Sequence, residues 1–191
     1  MTRTRLEAFS DGVIAILITI MVLELKVPHG ADRQALRPLI PVFLAYVLSF
    51  IFLGIYWNNH HHMLHATESI NGAILWANLH LLFWLSLVPF GTGWIGENHV
   101  APLPTALYGV VLLMAAIAYT ILQATIVAHQ GPHSNLREAV GGDLKGKISI
   151  VMYGAAIPLA FVRPWIAIGL YVSVALLWLV PDRRIESRID R

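Results

Sequence analysis

Six long, almost uncharged stretches restrict this chain more than any other feature of its sequence. They cover about 6–27, 38–61, 70–95, 105–127, 148–162 and 163–181. A backbone crosses hydrocarbon only where its own N–H and C=O groups satisfy one another, so apolar runs approaching 20 residues are expected to be membrane-spanning helices. With 57% hydrophobic and 13% charged residues, the fold class is an all-α, multi-pass membrane protein of six helices. Pro38 and Pro41 fall in the opening turns of their helix, where proline is tolerated, while Pro89 and Pro158 fall inside theirs and are expected to kink them. The connections are too short for a soluble domain. The whole chain, 1–191, is therefore expected to be one transmembrane domain closed by a charged tail at 182–191.

Charge sets the orientation. With six spans both ends lie on one side of the membrane. Arg3, Arg5, Arg137, Lys145, Lys147, Arg183, Arg184, Arg188 and Arg191 fall on that side, against Lys26, Arg33, Arg37 and Arg163 on the other. The excess makes both termini cytoplasmic, in the plasma membrane of a cell. A net charge of +2 makes no case for a nucleic-acid partner, which leaves the lipid bilayer as the chain's surroundings. The absence of cysteine excludes a disulfide framework, a thiolate metal site and a cysteine nucleophile. The first apolar run has no small-residue cleavage site behind it, so the first helix is expected to be retained.

That first helix is the informative one. Its uncharged core, 12–23, is short for a span, so crossing draws Phe9, Ser10 and Asp11 toward membrane depth. An acid there is costly unless it faces protein or water. At 100° per residue, Ile16, Thr19, Ile20 and Leu23 share one stripe and Asp11 projects away from most of it. Lipid accepts such a stripe as readily as protein does. Arg5, six residues before Asp11, cannot face it along one helix, so a direct pair would form between helices or between subunits.

The second span ends in Tyr56-Trp57-Asn58-Asn59-His60-His61-His62-Met63-Leu64-His65, on the same side as Asp11. Ring N–H groups of Trp57 or a histidine can satisfy the Asp11 carboxylate. The same residues also suit an interfacial belt at headgroup level. His61 with His65, and His129 with His133, have the spacing of metal ligands on a helix face. A membrane enzyme with histidine boxes needs paired histidines at a set spacing, and nine histidines, several of them isolated, barely reach its ligand count, so no metal site is assigned. Asn78 and His80 lie in apolar sequence and suit hydrogen bonds between helices. The run 91–96, Gly-Thr-Gly-Trp-Ile-Gly, lacks the pattern of a carbonyl-lined filter and reads as the loop end of the third span.

Three patterns carry a resemblance. They are Arg5-x-x-x-Phe9-Ser10-Asp11, then Tyr56-Trp57-x-x-His60-His61, and Trp76-x-Asn78-Leu79-x-x-Leu82-Phe83 followed by Pro89-Phe90. Together they resemble the transmembrane protein 175 family, the lysosomal potassium channels and their bacterial homologues. The resemblance covers the first half of the chain residue by residue and the second half by span count. It implies a homotetramer of single six-helix chains, with the first helix lining a central potassium-permeable pore. It implies a pore constriction at Ile16, Ile20 and Leu23 and a selectivity layer at Thr19, the positions that share the stripe. It also implies that Arg5, Phe9, Ser10 and Asp11, supported by Trp57, His60 and His61, hold the helix bundle together rather than bind the ion. No cofactor is expected beyond the permeant potassium ion, and no enzymatic activity. The main rival is a secondary cation transporter, which would favour broken helices at the midplane, whereas the first helix has no Gly or Pro between Gly12 and Pro28. The histidine-box metalloenzyme is the weaker rival.

Overall fold

In a computed structural model, residues 2–131 and 143–179 are described, and among them every regular element is helical. We number the α-helices α1 Arg3–Ile20, α2 Arg33–Leu36, α3 Ile40–His65, α4 Gly72–Ser86, α5 Val88–Glu97, α6 Pro102–Gln130, α7 Leu144–Val162 and α8 Pro164–Leu179. Among the described residues five segments are long and apolar enough to cross a membrane: Arg3–Glu24, Arg33–His65, Gly72–Glu97, Pro102–Gln130 and Leu144–Val162. The sixth, α8, has 16 described residues, a rise of about 24 Å. The end expected near 180–181, the tail 182–191 and the basic residues Arg137, Arg183, Arg184, Arg188 and Arg191 lie outside the described residues, as does His133.

The elements begin and end for local reasons. Thr2 caps α1 with its hydroxyl, Asn71 caps α4 at the Ile74 N–H (2.9 Å), and Asp143 caps α7 at Gly146. Each supplies an acceptor to an N–H that has no partner within its helix. α1 tightens after Ile20 into a 3₁₀ turn, Met21–Glu24. The first span is thus not one uniform rod, and Leu23 sits on the tighter turn. The third span is divided at Leu87 into α4 and α5, with Pro89 in the opening turn of α5, where its missing N–H costs nothing. Pro158 lies inside α7, which runs on through it.

α6 is the central post. It packs against α4, α5, α7 and α8, and Leu112, Ala115, Ala118, Leu122 and Ile126 along it are fully buried. The facing surfaces are rich in alanine, with Ala156 and Ala160 on α7 and Ala167 and Ala175 on α8 all buried. Lipid tails are as apolar as leucine, so helices in a bilayer associate by close backbone approach and by polar links, which small residues permit. Both appear here. Tyr171 donates to the Thr105 carbonyl (3.0 Å), passing over Gly109, where a Cβ would collide with its hydroxyl. On the other flank Thr92 donates to the Ser49 hydroxyl (2.6 Å), which also meets Tyr108 Oη at 2.8 Å. All three residues are buried, and their bonds tie α3, α5 and α6 together.

The run 91–96, expected as a loop, is helical and belongs to α5. Its glycines serve packing: a Cβ on Gly91 would lie 2.9 Å from Tyr108, and one on Gly96 only 2.8 Å from the Val42 Cα. α5 thereby sits directly against the backbone of α3. Gly54, by contrast, has nothing within 4 Å of a built Cβ. Gly96→Ala is therefore expected to lower the melting temperature in detergent, by overpacking worth about 1–3 kcal/mol. Gly54→Ala is expected to leave it unchanged or raise it. Equal melting temperatures for the two variants would show that α5 does not approach α3 this closely.

Candidate functional site

α1 lies at the rim of the bundle, against α3 and α4 with a smaller contact to α5. Its inward side is Leu6, Ser10, Ile14, Leu17 and Met21, each buried, at the three- and four-residue steps of one helix face. A polar link fixes this side at its middle. Asn78 on α4 donates from Nδ2 to the Ser10 hydroxyl (3.0 Å) and meets His60 Nε2 on α3 with its Oδ1 at 2.7 Å. The Ser10 hydroxyl in turn donates to the Leu6 carbonyl (2.9 Å). Since Asn78 Oδ1 can only accept, His60 carries its proton on Nε2. Ser10, His60 and Asn78 all have 0% exposure. The sequence placed Asn78 in an interhelical bond and Ser10 and His60 in a motif network. It did not join them through Asn78, because no local spacing relates residues 10, 60 and 78.

A second polar group flanks the Ser10 link on α1. Glu7 and Asp11, four residues apart, face His61 on α3, and one ligand atom from each lies within 4.8 Å of the others. Trp57 stacks on the His61 ring (centroids 6.2 Å, 27°), but neither ring gives Asp11 the hydrogen bond the sequence suggested: Asp11 Oδ1 and His61 Nδ1 both lack a partner. Glu7 was missed by sequence reading. Its signal was the i, i+4 spacing from Asp11, which places two carboxylates on one face. Arg3 closes this end of the bundle through bonds to the His65 and Thr67 carbonyls (3.0 and 3.4 Å).

The outward side of α1 is a different surface. Ile16, Ile20 and Leu23 are 59%, 40% and 74% exposed, and Thr19 is exposed between them. The Thr19 hydroxyl donates to the Ile16 carbonyl (2.9 Å), three residues back rather than to Ala15 four back. Arg5 and Phe9 lie on this same side and are exposed. Among the described residues the Arg5 guanidinium has no hydrogen-bond or ion-pair partner. The four-residue motif thus divides: Ser10 and Asp11 turn into the chain, Arg5 and Phe9 turn out of it.

At the opposite end of the bundle Lys26 bonds to Glu97, whose carboxylate raises the ammonium pKa above its usual value. Glu24 lies against α5, close enough that a Cβ on Gly93 would overlap it. The histidine pairs separate in use. His61 and His65 stack with parallel rings (6.2 Å, 21°), while His129 meets Ser69 and Asn71 at 3.0 and 3.1 Å.

Residues 5–89 match the family described as endosomal/lysosomal potassium channel TMEM175. A potassium channel of Chryseobacterium sp. (strain P1-3) is 58% identical over 189 residues, spanning 99% of this chain and 98% of the relative. A potassium channel of Streptomyces collinus is 31% identical, spanning 91% of this chain and 90% of the relative. Among solved structures, the lysosomal potassium-selective channel TMEM175 homologue from Chamaesiphon minutus superposes with a TM-score of 0.80 at 27% identity, covering 93% of this chain and 96% of that one.

The link through Asn78 generates a prediction. Asn78→Leu strands the buried Ser10 and His60 groups, at about 1–3 kcal/mol for each polar group left unsatisfied. It should lower the melting temperature clearly. Adding His60→Leu should then cost less than it does alone, and a double-mutant cycle measures that coupling. Additive losses would show that the two side chains are not partners.

Proposed function

The chain belongs to the TMEM175 channel family, and on that premise we propose that it forms a potassium-permeable cation channel in the plasma membrane, with both termini cytoplasmic. It is a channel-family protein, not an enzyme. Four copies surround an axis and α1 of each lines the pore. The observation that carries the reading is the uncovered stripe of α1, on a chain 58% identical over 99% of its length to a relative named as a potassium channel. Within its own chain α1 is held mainly by α3 and α4, with a smaller contact to α5, and the exposed stripe is available to other copies.

The chemistry of the stripe supports a pore without a carbonyl filter. Rings of Ile16, Ile20 and Leu23 make an apolar constriction, which blocks ions by excluding the water they would otherwise keep. Thr19 is the uncharged polar group between these rings. Its hydroxyl proton is spent on the Ile16 carbonyl, which leaves the oxygen lone pairs for a partly dehydrated cation. A ring of such oxygens gives a modest preference for potassium. Ser10, through Asn78 and His60, anchors the helix from behind. Arg5 and Phe9, on the outward side, are placed to meet a neighbouring subunit.

Purified protein in potassium-loaded vesicles tests the reading. Unitary current steps are expected, whereas saturable flux without them would return the transporter. Leu23→Ala and Ile16→Ala should each raise the conductance or leak several-fold, and unchanged currents across both would remove the apolar ring. Thr19→Val should shift the potassium-to-sodium reversal potential, and an unshifted value would take selectivity away from Thr19.

A further inference from the structure

We propose that Glu7, Asp11 and His61 form a binding site for a first-row divalent metal ion, clamping the start of α1 to the end of α3. The site is built from one chain and does not rest on the channel reading. Its three ligand atoms lie within 4.8 Å of one another. Around an ion with bonds of about 2.0–2.2 Å, ligand atoms sit roughly 3.3–3.5 Å apart, so small side-chain rotations close the set.

Two further observations point to a ligand. Asp11 Oδ1 and His61 Nδ1 are both buried without a hydrogen-bond partner. Glu7 Oε1 lies 3.0 Å from His61 Nδ1, but off the direction a hydrogen bond requires, so proximity does not satisfy the imidazole nitrogen. Two carboxylates this close also repel one another unless a cation or a proton lies between them. Among the described residues no lysine or arginine fills that role: the Arg3 guanidinium is used on the His65 and Thr67 carbonyls, and Arg5 faces outward. The cation at hand is His61 itself when protonated, paired with Glu7, and a metal ion takes the place of that proton.

Donor chemistry selects the ion. Two carboxylate oxygens and one imidazole nitrogen suit zinc, cobalt or manganese, with water completing the coordination, better than calcium or magnesium, which take oxygen alone. Coordination through Nδ1 needs the neutral ring with its proton on Nε2. The Trp57 indole stacked on the ring restrains its orientation. Because Glu7 and Asp11 belong to α1 and His61 to α3, a bound ion crosslinks the two helices, independently of the hydrogen bonds at Ser10.

The experiment uses chelator-treated full-length protein in detergent. Cobalt(II) titration is expected to give a visible d–d band saturating at about one ion per chain, which zinc then displaces. Zinc should also raise the melting temperature. Glu7→Gln and His61→Gln should each weaken binding tenfold or more and abolish the zinc-dependent rise. His65→Gln, outside the set, should do neither. Glu7 takes no part in the Ser10–Asn78–His60 link, so its variant reports on metal in a chain that folds, as its elution and metal-free melting would verify. No saturable binding by the parent protein, or equal binding by the parent and the Glu7→Gln and His61→Gln variants, overturns the site. Inter-subunit occupation of the carboxylates by Arg5 would give the first of these results, and metal held by other histidines the second.

Discussion

A carboxamide has a donor end and an acceptor end, and Asn78 uses both within the hydrocarbon-facing bundle. One end holds α1 through Ser10 and the other holds α3 through His60. In water such bonds exchange with solvent at small net gain. In a dry interior each unmade bond leaves a stranded polar group. Three buried side chains from three helices are thus committed to one another, and the rotation of α1 about its own axis is fixed. Fixing that rotation determines which residues turn inward at Leu6, Ile14, Leu17 and Met21 and which are left outward at Ile16, Thr19 and Ile20. The outward surface follows from the inward one.

The rest of the chain gives this helix something rigid to lean on. α6 is gripped by alanine-lined neighbours and by two tyrosine hydroxyls, one to a backbone carbonyl and one to Ser49. Gly96 in α5 brings it onto α3 near the far end. Close approach and hydrogen bonding replace the hydrophobic effect as the source of cohesion. α1 is attached at the rim, mainly through α3 and α4. A rim helix on a rigid body can present a surface to other copies without disturbing the core behind it.

Much of this was legible in the sequence because membrane helices announce themselves by composition. The segments around α1, α3, α6 and α7 were located to within a few residues, and the stripe of Ile16, Thr19, Ile20 and Leu23 followed from helical geometry. What escaped depended on long-range pairing. Ser49, Thr92 and Tyr108 are unremarkable in their own segments and meet only once three helices are packed. The Gly-rich run of α5 looked like a loop because glycine disfavours helices in isolation, whereas close packing against Tyr108 and Val42 reverses that preference. Glu7 was passed over because it sits among charged residues at a helix start, where an acid is unexceptional. The motif itself read as one unit, but a helix sends successive residues in different directions, so Phe9 and Ser10, adjacent in sequence, occupy opposite surfaces.

The 3₁₀ turn at Met21–Glu24 carries a consequence for how the far end of the first span is wound. Residues in a 3₁₀ turn advance by about 120° rather than 100°, so over four residues the azimuth of the side chains drifts by roughly 80° from that of a continued α-helix. Periodicity therefore changes along the segment, from 3.6 up to Ile20 to three beyond it. A substitution scan across residues 14–25 would register that change of beat as a shift in which positions tolerate bulk. A scan keeping one beat throughout would mean that the turn rewinds as ordinary α-helix in the bilayer.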